Sequence, residues 1–262
     1  MRGSAMRCGG LAAALGLAGL AVTTIPVSAA ARTPAHASAR HALSTLGLTA
    51  HISIPRGADV PSTDEGAGYY SYPGDSALGV SGASVTFTMP GISCASSSDY
   101  EWLLPGIWVY ASGLLTEQVD VNFNCNEGTL YENAVIEVGG QTGVAMAVSP
   151  GDTVVASLSE SATATEGDVD DLTSGGNLQE VGAATSSDFT VFIGDDGPDA
   201  FGVDAVPTFS KVTFSNVTVD GEYLNLWTPL RYNLKTGSDT QIDAGTLGRP
   251  GDTFKTTFKH ND

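Results

Sequence analysis

The stretch LLTEQVDVNFNC, residues 114–125, sets a carboxylate and a carboxamide side by side, Glu117 and Gln118, in otherwise strand-like sequence. An amide N–H can stabilise an oxyanion as it forms, and a carboxylate can take a proton from water and return it to a leaving amine. Gln118 is therefore either a reactive group aimed into a cleft or one polar side chain among many on a wet sheet face. Other catalytic sets find no purchase in the chain. His36, His41 and His51 precede the strand-rich part and His260 sits at the tail, with no metal-ligand spacing. No Ser-His-Asp or phosphate-loop arrangement stands out. Neither Cys94 nor Cys125 has a nearby His to serve as its base.

Strands must hold Gln118, whatever it does. SVTFTM (84–89) sets Val85, Phe87 and Met89 against Ser84, Thr86 and Thr88, and TVVASLSES (153–161) turns Val154, Ala156 and Leu158 to one side. DFTVFI (188–193), KVTFSNVTV (211–219), EYLNLW (222–227) and TFKTTF (253–258) alternate in the same way. Period two over such runs predicts strands with one buried face. PGDS at Pro73 and PGDT at Pro150 and Pro250 predict type II turns in which glycine takes a positive φ. Residues 67–262 are therefore expected to form one all-β domain, an antiparallel β-sandwich of two large sheets with few helices.

Residues 1–31 read as a secretory signal: Arg2 and Arg7 precede an apolar run over 9–22, and VSAAA (27–31) offers small-residue cleavage positions. Residues 32–66, rich in Ala, Ser, Thr, Pro and His, are expected to be a disordered linker or pro-segment. No later apolar run reaches the ~20 residues that a membrane span needs, so no membrane association is expected after signal removal. Cys8 leaves with the signal. Export then predicts a disulfide between Cys94 and Cys125, two buried thiols being the alternative.

Removing Arg2 and Arg7 takes the 11 basic residues to nine against 29 acidic ones, and no Lys or Arg occurs between Arg56 and Lys211. Such a surface repels phosphate backbones, which argues against nucleic acid as a partner. It suits acidic surroundings, where partial protonation relieves the repulsion, or solubility outside the cell.

Six segments, taken in order, carry a family likeness. GVSGASVTFTMPGISC (79–94) has a small-residue turn, a T-F-T-V-P-like strand and then Ser-Cys. GIWVYASG (106–113) is similar to a W-V-G-x-D-G segment, and TEQVDVNFNC (116–125) to a V-E-Q-x-G run with a later cysteine. EGTLYENAVIE (127–137) resembles a G-x-x-Y-x-A-W-x-E-like strand, VSPGDTVVASL (148–158) a K-P-G-D start, and VPTFSKVTFSNVTV (206–219) an A-D-F-G-x-V-x-F-x-N segment. These are the segments of the eqolisins, the glutamic peptidases, and the chain resembles their secreted bacterial members with a divergent active site.

The resemblance implies a lectin-like sandwich whose concave face binds an extended polypeptide substrate. It implies acid endopeptidase activity from a Gln–Glu pair, with no metal or cofactor. The chain is expected to be secreted and monomeric. Residue by residue, Gln118 falls on the catalytic Gln, as oxyanion donor and water positioner. On ATSSDFTVFIG (184–194), where the family reads like A-E-x-I-x-E, Asp188 takes the place of the catalytic Glu and Phe192 that of the second Glu. Asp is one methylene shorter than Glu, which makes Glu137 and Glu117 the substitute or supporting acids. Trp108 and Tyr131 fall in the substrate cleft, although an aromatic on a strand, such as Trp108, more often packs in the core. The alternative function is a catalytically inactive sandwich that binds peptide or glycan.

Overall fold

The computed structural model describes residues 62–63, 66–71, 80–95, 100–111, 114–142, 145–184, 189–196, 205–236 and 239–259. The expected signal over 1–31, most of the expected linker over 32–66, and Asp188 lie outside them. Among the described residues, thirteen strands of five residues or more carry the architecture. They are β1 (Gly66–Ser71), β2 (Gly82–Thr88), β3 (Tyr100–Ala111), β4 (Leu114–Asn126), β5 (Thr129–Val138), β6 (Thr153–Glu160) and β7 (Ala164–Asp171). Then come β8 (Asn177–Ala183), β9 (Phe189–Asp196), β10 (Val212–Val219), β11 (Leu230–Thr236), β12 (Asp239–Ala244) and β13 (Phe254–Phe258).

Their pairings form one continuous antiparallel ladder, β5-β4-β3-β9-β1-β11-β12-β13-β10-β2-β6-β7-β8. Its two end strands come back together. A methyl group added at Gly182 would collide with the Val138 carbonyl, and one at Gly139 would strike Gly182 and Ala183. The backbones approach so closely there that only glycine fits, and the sheet nearly closes into a barrel.

The two-residue alternation decides what lies inside. Val85 and Phe87 from β2, Val119, Val121 and Phe123 from β4, and Phe214 from β10 are fully or almost fully buried in the main core. Each such side chain stabilises the fold by about 1.5–3 kcal/mol. The Cys94–Cys125 disulfide, S–S 2.00 Å, ties the segment after β2 to the end of β4. Among the described residues no helix is long and apolar enough to cross a membrane.

One local expectation is corrected. EYLNLW is not a strand throughout: Glu222–Tyr223 pair with β10, and Leu224–Trp227 turn into a 3₁₀ helix. Leu224 and Trp227 stand three residues apart, and a 3₁₀ turn stacks i over i+3, so both reach the core. Within the stretch read as a linker, Ser62 and Thr63 pair in parallel with Asn233 and Leu234 of β11.

Candidate functional site

The face of the ladder turned away from the main core is ordered in rows, because residues paired across antiparallel strands share a face. One row runs across six strands: Glu137 (β5), Gln118 (β4), Trp108 (β3), Phe192 (β9), Tyr70 (β1) and Leu230 (β11). Two residues further along β4 the next row reads Val135, Asp120, Gly106, Gly194, Gly68 and Tyr232. Gln118 thus faces an exposed carboxylate across one interstrand gap of about 4.8 Å, and an indole across the other. Asp120 follows it at the ~7 Å spacing of alternate strand residues.

The aromatic half of this face has a small core of its own. Tyr70, Leu104, Trp108 and Phe192 are buried, with Trp102, Tyr110 and Tyr232 packed against them. The Phe192 ring lies 5.5 Å from Trp108 and 4.7 Å from Tyr70, centroid to centroid. The glycine row beside it is obligatory. A methyl group at Gly106 would lie 2.7 Å from the Asp120 Cβ, and one at Gly194 only 3.0 Å from the Phe192 ring.

Asp120 is the electrostatic centre of the face. It is 1 % exposed, and among the described residues neither carboxyl oxygen has a hydrogen-bond partner. Burial pushes its pKa well above the usual carboxylate range, and the charges of Asp196 and Glu137 push it further. No Lys or Arg occurs anywhere from β1 to β9, so these strands supply no cation to pull it back. Both effects favour the neutral, proton-bearing form of the carboxyl. The Trp108 indole Nε1 beside Gln118 is also buried without a partner among the described residues.

The residues singled out in the sequence fall in different places. Gln118 and Glu137 are neighbours on adjacent strands. Glu117 leaves β4 on the opposite face, where its buried carboxylate accepts the Gly139 N–H at 2.8 Å. Trp108 is fully buried in the aromatic cluster next to Gln118. Tyr131 is 55 % exposed and pairs with Asn124, six residues along β4 from Gln118, a distance of about 20 Å, so the two aromatics do not line one wall. Asp188 lies outside the described residues. The described part of β9 puts Phe192 in the Gln118 row and Asp196 two rows on, beside Leu104. Sequence reasoning passes over Asp120, although counting two along the strand from Gln118 would have placed it on the same face.

The fold resembles solved glutamic peptidases. Scytalido-glutamic peptidase with a transition state analog inhibitor superimposes with a TM-score of 0.54, and the same enzyme with a peptide based transition state analog with 0.56. SCP-B, a member of the eqolisin family of peptidases in a complex with the tripeptide Ala-Ile-His, superimposes with 0.56. Each is 17 % identical in sequence, over 75 % of this chain and 98 % of the other. No protein-family model matches the chain, and no curated protein does.

Proposed function

We propose that this chain is an exported acid endopeptidase of the glutamic-peptidase kind, built as a two-sheet sandwich, with a polypeptide laid across the outer face of β3, β4 and β5. The observation that carries this reading is the row through Gln118. An amide stands mid-sheet with a solvent-facing carboxylate on one side and an indole on the other, in a fold that resembles peptidases holding peptide-like inhibitors.

In hydrolysis, water adds to the scissile carbonyl carbon while a carboxylate takes its proton. The charge that gathers on the carbonyl oxygen is met by the Gln118 Nε2–H. The likeness to the family assigns the base to Asp188, with Glu137 as the acid best placed to substitute for it. A base that must be ionised among acids that must not be restricts the reaction to acidic medium.

The Phe192 stack favours the second reading, a binding scaffold without catalysis, because a large aromatic fills the place where the family likeness puts an acid. Denatured casein separates the two. The purified protein is expected to cleave it at pH 3 and not at pH 7, in the presence of pepstatin and chelators. Gln118→Ala is expected to lose on the order of 10²–10³ in rate. Absence of cleavage by the wild type at every pH leaves the scaffold reading.

A further inference from the structure

A third group stands beside the disulfide, at the far end of β4 from Gln118. Glu101 of β3 pairs in register with Cys125 of β4. A carboxylate oxygen of Glu101 and the sulfurs of Cys94 and Cys125 all lie within 4.8 Å of one another. The Glu101 side chain is 2 % exposed, and its Oε2 accepts the N–H of Ala95, the residue after Cys94, at 3.0 Å. Register holds the carboxylate against one cysteine, and the hydrogen bond holds it against the other. With both sulfurs bonded to each other, the trio has no thiolate to offer a metal ion. No Lys or Arg occurs between Arg56 and Lys211, so β3, β4 and β5 bring no cation to this acid.

The two ends of the bond differ. Cys125 is fully buried, with Glu101 beside it on β3 and Leu130 on β5, whereas Cys94 is half-buried in the segment after β2. A thiol from solvent therefore meets the bond at Cys94. Its thiolate sulfur bonds to Cys94 Sγ, the S–S bond breaks, and the electron pair leaves with Cys125 Sγ. Such exchange slows as the leaving thiolate becomes harder to form. Here that thiolate would form in the interior, next to a carboxylate. At an effective dielectric near 20, the repulsion between the two charges is about four times that in water.

We propose that Glu101 is an electrostatic guard of the Cys94–Cys125 bond: its charge makes Cys125 a poor leaving group and keeps the bond shut against small thiols. The bond it protects fastens the end of the strand that carries Gln118. The guard stands whether or not the chain cleaves peptides. With a dithiol as reductant, the first thiolate forms a mixed disulfide with Cys94 and releases Cys125. The second thiolate then displaces Cys94 as the reductant closes to a cyclic disulfide. Cys94 and Cys125 take up the two protons that the dithiol gives up, so the dithiol is oxidised and the cysteine pair reduced.

Glu101→Gln tests this, since it keeps the length of the side chain and an acceptor for the Ala95 N–H and removes the charge. The rate constant for reduction of the folded protein by dithiothreitol at pH 8 is expected to rise about tenfold to a hundredfold. An unchanged constant overturns the guard, and a lower one would make Glu101 a proton donor to the leaving sulfur instead. A wild-type rate that does not rise with dithiothreitol concentration means that exchange waits on unfolding, and overturns it as well. Looser packing would also speed reduction, so amide hydrogen exchange at Cys125 is followed in the oxidised proteins. It is expected to be the same in both, and an acceleration matched by faster amide exchange assigns the effect to local opening and overturns the proposal. Should Glu101→Gln fail to fold, Glu101→Met, neutral and of similar length, takes its place in both measurements.

Discussion

Glu117 and Gln118, adjacent in β4, leave it on opposite faces: Glu117 turns inward to the Gly139 N–H, and Gln118 stands outward in line with Glu137 and Trp108. The pair that looked like one chemical unit in the sequence is two units with separate tasks.

Glu117 should therefore behave as a structural acid. Glu117→Ala removes the acceptor of the half-buried Gly139 N–H, at the glycine turn where the ends of the ladder meet. The expected loss is about 1–3 kcal/mol in a urea titration. The kcat of the molecules that remain folded should be unchanged, and a kcat that falls with Glu117→Gln at full folding would return this residue to the list of candidate acids.

Phe192 links the stability of the outer face to its chemistry. Its ring is packed between Trp108 and Tyr70 and stands over Gly194 in the row of Asp120. Phe192→Ala should cost about 3–5 kcal/mol, as large-to-small changes in a packed cluster do. It should also admit water beside Asp120 and move that carboxyl back toward the usual range, since burial is the largest cause of its displacement. Carboxyl resonances followed by NMR against pH would register the second effect. An unmoved Asp120 would mean that another group seals it.

Much of this arrangement was legible in the residues. SVTFTM, TVVASLSES and KVTFSNVTV became β2, β6 and β10 because their apolar residues alternate cleanly against Ser and Thr. ATEGDVDD, which became β7, shows little of that signal: its inward residues include Thr165 and Gly167, and its outward ones are Glu166, Asp168 and Asp170. Neighbouring amides stand in there for absent cations, with Asn177 donating to Asp168 and Asp170, and Gln179 to Glu166. The bulge in β10, where Asn216 takes φ 51°, is hidden in an apparently unbroken run. The site was legible at Gln118, but its neighbours were not. Glu137, Asp120 and Phe192 share one face through register across four adjacent strands, β5, β4, β3 and β9, which a single strand's alternation does not encode.

The disulfide should matter most to β4. Cys94 and Cys125 are 31 residues apart, so reducing the bond frees a loop whose closure is worth about 3–4 kcal/mol on the chain-entropy model. Cys125 is buried at the far end of the strand that carries Gln118 and Asp120. Cys94→Ser/Cys125→Ser should lower the denaturant midpoint accordingly. A midpoint unchanged from the oxidised wild type would show that the reduced, unfolded chain is already restrained.

Stability should fall as pH rises from about 4 to about 7, the reverse of the common pattern in which carboxylates are held by cations. Asp195, on the core side of β9, is fully buried, and burial raises its pKa to about 7, against a smaller lowering by the Thr256 hydroxyl. In the unfolded chain the same group ionises near its model value of 3.8. Below that value both states hold the proton, and the folded state bears no penalty. Between it and about 7 the unfolded state alone releases the proton, so stability falls by about 1.4 kcal/mol per pH unit for this group. Asp120 acts with the same sign on the other face. Asp195→Asn removes one of these protons while changing the formal charge by a single unit, so general repulsion among the acids stays almost constant. Denaturant midpoints measured every half pH unit should therefore fall less steeply for Asp195→Asn than for the wild type. Parallel curves would assign the slope to net charge instead, and would mean that Asp195 is ionised in the folded protein.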